Sequence, residues 1–134
     1  MTAPEVDGSA RRLDAVVRIS AVLAAGSALL AVAHMGVEVP LLSALGPGGG
    51  RAVVPAAIAF SVAAVAHGMV SVGVRRRRAW AWPLGVLIAA ATLLAAAAPF
   101  RGIGSALGIV LAAAQLGLLV TKPARRAILG SATS

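Results

Sequence analysis

The sequence predicts an all-α, polytopic membrane protein: a compact four-transmembrane-helix bundle with both termini cytoplasmic. Three observations lead there. The chain is 60% apolar and 12% charged over 134 residues, far below the roughly one-quarter charged share of soluble domains. It holds four apolar runs of the length that spans a bilayer. Its basic residues, twelve against four acidic, fall almost entirely on one side of those runs.

A span needs about 20 predominantly apolar residues to cross a hydrocarbon core of roughly 30 Å. The runs lie at about 16–37, 52–74, 79–98 and 102–120. They are separated by "EVPLLSALGPGGGR", "RRRR" and "PFR", each carrying charge, Pro or Gly. Backbone amides in lipid bond within their own segment, so the runs read as helices. The alternation of membrane strands is absent. Residues 1–15 form a polar N-terminal tail and 121–134 a basic C-terminal tail, with 1–12 and 130–134 expected to be mobile. By length the whole is one domain.

Arg11, Arg12 and Arg18 precede the first span, Arg75, Arg76, Arg77 and Arg78 separate the second and third, and Lys122, Arg125 and Arg126 follow the fourth. Only Arg51 and Arg101 fall on the other side. The positive-inside rule then places both termini and the Arg run in the cytoplasm. Trp80 and Trp82 stand where the third span leaves the headgroups, as interfacial aromatics do. The Arg run thus reads as a topology determinant and an anchor for anionic lipid headgroups. A nucleic-acid patch finds little support in a short loop tethered at the membrane. "RRLDAVVRISAVLAAGSALLAVAH" also resembles a signal peptide with an A-x-A site at Ala31–Ala33. The long apolar run and three following spans favour an uncleaved first span.

At 100° per residue each span carries one small, polar face. Ser20, Ala24, Ser27, Ala31, His34 and Glu38 share it in the first; Ala57, Ser61, Ala64, Gly68 and Ser71 in the second, with His67 at its edge. Ala81, Gly85, Ala89, Thr92 and Ala96 form it in the third. Arg101, Gly104, Gly108, Ala112 and Gln115 form it in the fourth, containing a G-x-x-x-G. Small faces let helices approach closely in lipid, so these stripes are expected to turn inward. The alternative is that some, above all that of the fourth span, face a membrane-protein partner or a second copy in a homodimer.

Ionisable groups within spans are functional candidates because they are costly in lipid. Here they are His34, His67 and, at the rim, Glu38. His34 and Glu38 have i, i+4 spacing and suit either a relay or a simple hydrogen-bonded pair. His34 and His67 differ in depth by roughly 15 Å or more, which excludes a shared metal or haem site. His67 and Gln115 lie at similar depth and are expected to bond to each other or to Ser71. The chain has no cysteine, which removes disulfides, thiolate metal sites and thiol chemistry. "GPGGG" at 46–50 lacks the Lys-Ser/Thr of a phosphate loop. No acid/base pair or Ser/His/Asp set can be assembled, so no enzyme, metal or cofactor is expected.

The second half, "RRRRAWAWPLGVLIAAATLLAAAAPF" through "LGLLVTKPARRAILGS", resembles small four-span integral membrane proteins of actinobacteria that have no assigned function. The shared features are the Arg-Trp entry to the third span and the Pro-Ala-Arg-Arg tail; they imply a bacterial plasma-membrane location rather than an activity. Small multidrug efflux proteins are similar in length and span count, but depend on a glutamate mid-way along their first span. Ser27 and its neighbours occupy that depth here. The expectation is a structural or accessory membrane protein, with a small proton- or ion-coupled transporter using His34, Glu38 or His67 as the alternative.

Overall fold

The computed structural model describes residues 3–38, 40, 52–97 and 103–130, with side chains from residue 8 onward. Among these the protein is helical, with no strand: α1 spans Ala3–His34, α2 Val54–Arg75, α3 Ala81–Ala97, α4 Ile103–Leu119 and α5 Lys122–Leu129. Arg51, Arg101, the "GPGGG" segment and residues 131–134 lie outside the described residues.

Local chemistry sets the helix ends. Gly36 takes φ +87° after α1, the left-handed conformation that stops a helix at little cost for Gly. The last carbonyl of α1, on His34, accepts the Val53 N–H at 2.8 Å, which ties it to the start of α2. Pro55 in the first turn of α2 sits where a helix needs no N–H from it. At the other end of α2, the Arg78 N–H reaches the Gly73 carbonyl and the Arg77 N–H reaches Val74. This is a Schellman closure, with Arg77 at φ +50° in the position normally given to Gly.

Two antiparallel hairpins result, α1 on α2 and α3 on α4. They join through α2 against α3 and α1 against α4, so the four long helices close a ring of contacts, while α5 folds against α1, α3 and α4. Leu13 and Val16 of α1, Val70 and Val74 of α2, Ala81 of α3, Leu119 of α4 and Ala124 and Ile128 of α5 form one buried cluster at the end that carries the Arg run. Two glycines make this closeness possible. A Cβ on Gly85 would stand 2.8 Å from Leu119 Cδ1, and one on Gly73 would stand 2.7 Å from the Ala81 Cβ.

Two helices, Gly8–His34 and Val54–Arg75, are long and apolar enough to cross a membrane; a third candidate is α4 and α5 taken together, bent by 68°. α3 is a shorter apolar helix of 17 residues. Two boundaries differ from the sequence reading. Residues 3–15, expected as a polar tail, are the first turns of α1, and the start of the expected C-terminal tail is α5. The tail reading followed composition. Composition missed that Leu13 is drawn into the cluster on one side and Ile128 on the other, and burial of an amphipathic stripe is what stabilises such polar turns as helix.

Among the described residues, polar side chains are buried along with the small and aliphatic core, while many large aliphatics face outward. Ser20, His67 and Gln115 are fully buried, whereas Leu87 and Leu94 are 68% and 71% exposed, and Val62, Val65 and Val110 are exposed with them. In water so continuous an apolar exterior signals a binding surface or aggregation; against lipid tails it costs nothing. The chain is an α-helical membrane protein.

Candidate functional site

Two regions carry the residues singled out by the sequence. The first is the basic end. Arg75 to Arg78 are all exposed, as are Arg11, Arg12, Arg18, Lys122, Arg125 and Arg126. Asp14 meets Arg18 at 2.8 Å, with both side chains mostly exposed, a geometry that contributes little to stability. Trp80 is 45% exposed.

Trp82 has a more specific task. In an uninterrupted helix the Leu119 carbonyl would accept from the N–H of residue 123, but residue 123 is proline. The Trp82 Nε1–H supplies the missing donor at 2.9 Å, and the Arg125 guanidinium lies over the indole, 5.1 Å from its centroid. Trp82 thus fastens α3 to the bend between α4 and α5. On α5, Ala124 and Ile128 turn into the cluster while Lys122, Arg125 and Arg126 face out. With Leu129 and Gly130 those three line an open groove of about 540 Å³. Sequence reasoning took Trp82 for an interfacial aromatic alone and missed α5; the signal for both was Pro123, four residues after Leu119.

The second region is the interior. His67 Nε2 lies 3.0 Å from Thr92 Oγ1, joining α2 to α3. Ser71 Oγ donates to the Val17 carbonyl at 3.1 Å, joining α2 to α1. The expected partners of His67, Gln115 and Ser71, are therefore not the ones it uses. Thr92 stands on α3's inward stripe and was the available signal. Ser20 Oγ, His67 Nδ1 and both amide atoms of Gln115 are buried without a protein hydrogen-bond partner, a condition that costs about 1–3 kcal/mol per group where nothing compensates.

At the far end, His34 and Glu38 do not form the expected pair among the described residues. The i, i+4 relation needs an unbroken helix, and α1 ends at His34. The His34 Nδ1–H donates to the Leu30 carbonyl at 2.7 Å, and its ring lies 5.1 Å from that of Phe60 on α2. Glu38 is exposed beyond Gly36. In the G-x-x-x-G of α4, Gly108 faces the Ala96 Cβ (3.6 Å from an added Cβ) and Ala112 is fully buried, whereas Gly104 has open space where a Cβ would go. Half of that motif therefore packs within the chain.

No protein-family model, curated protein or solved structure matches this chain.

Proposed function

We propose that the chain is a four-span integral protein of a bacterial plasma membrane, with both termini cytoplasmic, that serves a structural or accessory role beside other membrane proteins. The observation that carries this reading is the outward face of α1 and α4. Ala21, Ala25 and Ala28 on α1 and Ala113, Ala114 and Gly117 on α4 are exposed amid large aliphatics, and Gly117 has open space around it. Small residues exposed to lipid allow another helix, from a partner or a second copy, to approach closely. Ten exposed basic residues at one end fit the cytoplasmic leaflet, where anionic headgroups attract them. α5, apolar towards the protein and basic towards the outside, suits the plane of those headgroups.

Copurification from a mild detergent, with a C-terminal tag and mass spectrometry of the eluate, tests the role. A stoichiometric membrane-protein partner whose recovery falls on Gly117→Leu supports it; a chain recovered alone at native expression counts against it. Alkaline phosphatase and fluorescent-protein fusions at each loop test the four spans and their orientation. A second reading, proton- or ion-coupled transport, draws support from His67, because an ionisable group buried among apolar helices is costly unless used. Proton flux into vesicles, compared between the wild type and His67→Ala, tests it.

A further inference from the structure

We infer that the interior holds a bound-water site formed by Ser20, His67 and Gln115. It stands independently of the accessory role. The helix register puts the three residues at one level. A Cβ on Gly85 would lie 3.2 Å from Val70 Cγ1 and 2.8 Å from Leu119 Cδ1, so residues 70, 85 and 119 share one level. The Ser71–Val17 hydrogen bond places Val17 of α1 at that level too. About one turn further from the basic end, three residues along α1 and α2 and four along α3 and α4, or about 4.5–6 Å, the four helices present Ser20, His67, Ala89 and Gln115. The contact of Gly108 with Ala96 keeps the same offset between α3 and α4, which confirms Ala89 opposite Gln115. All four residues are fully buried.

Within this layer Ser20 Oγ, His67 Nδ1, Gln115 Oε1 and Gln115 Nε2 lack protein partners. They come from three helices, and the fourth adds only the Ala89 methyl, which has no polar atom to satisfy them. No backbone carbonyl or N–H serves these four atoms, although helical carbonyls elsewhere do accept from side chains, as Val17 does from Ser71. His67 Nε2 is already held by Thr92, which leaves Nδ1 for the layer. The set is neutral and mixed: Gln115 donates and accepts, Ser20 does both, and Nδ1 does one or the other by tautomer. That suits water, which occupies buried polar sites offering two to four partners. It does not suit a metal cation, since no group of three His or carboxylates exists among the described residues, nor an anion, since no cationic side chain belongs to the layer.

Occupied, the site connects all four helices through one chain of hydrogen bonds, Thr92 to His67 to water to Gln115 and Ser20. Isotope-labelled protein in detergent micelles tests this by water–protein rotating-frame cross-relaxation. Cross-peaks between water and the Gln115 side-chain amide protons are expected, in a protein where the surrounding helices exchange slowly. Their absence, or a direct through-bond coupling between Gln115 and His67, overturns the site. The Gln115→Leu variant gives an independent reading of opposite signs. If water bridges the layer, the unfolding midpoint in sodium dodecyl sulfate falls; if the amide is dry and orphaned, the midpoint rises and the inference fails. Gln115→Met, which retains the side-chain length, guards against an effect of shape.

Discussion

Replacing Trp82 with Phe isolates the fastening between α3 and the α4–α5 bend. Phe keeps an aromatic ring beneath Arg125 but removes the Nε1–H that serves the Leu119 carbonyl at 2.9 Å. Leu119 is fully buried and Pro123 offers no N–H in compensation, so the carbonyl is left orphaned. An unsatisfied buried acceptor costs about 1–3 kcal/mol. The weaker ring under an exposed guanidinium adds at most about 0.5 kcal/mol. A loss of about 2 kcal/mol is expected, read from reversible unfolding in mixed micelles followed by circular dichroism. Trp80→Phe is the matched control, because Trp80 is half-exposed, and it should cost no more than about 0.5 kcal/mol. Arg125→Gln removes the cation alone and should fall near the control. Equal midpoints for Trp82→Phe and Trp80→Phe would refute the idea that the indole N–H replaces the donor lost at Pro123.

Three further outcomes follow from the same geometry. Gly85→Val forces atoms against Leu119 and Val70 and should cost about 1–3 kcal/mol, whereas Gly117→Ala, in open space, should be neutral or raise stability by up to about 1 kcal/mol; the unfolding midpoints of the pair decide it. Arg77→Gly relieves a left-handed conformation that costs a side chain about 1 kcal/mol, so the midpoint should rise, and a fall would mean that the side chain at 77 stabilises the turn by more than its backbone strain. Thr92→Val deprives His67 Nε2 of its partner and should cost about 1 kcal/mol, with a change in the His67 ring nitrogen shifts; unchanged shifts would show that this hydrogen bond does not persist.

The inward small faces were legible because a period of 3.6 residues is a local property. Ala81, Gly85 and Ala89 fall on one stripe by sequence alone and are all buried. The partners of the buried polar groups were not legible. Which group His67 bonds depends on the rotation of α3, which brings Thr92 within 3.0 Å. The His34–Glu38 relation failed for a local reason: Gly36, taking φ +87°, ends the helix that their spacing assumed.

Hydropathy and charge placement by themselves determined that this is a helical membrane protein with a basic end, since transfer of each residue between water and lipid depends on its own chemistry. Only the tertiary structure decided how that end is built. Ile128 and Leu13 turn polar-looking termini into helix by entering a common cluster, and Trp82 reaches across 37 residues to complete Leu119. Such long-range partners depend on the packing of whole helices against one another, a quantity that no single stretch of sequence contains.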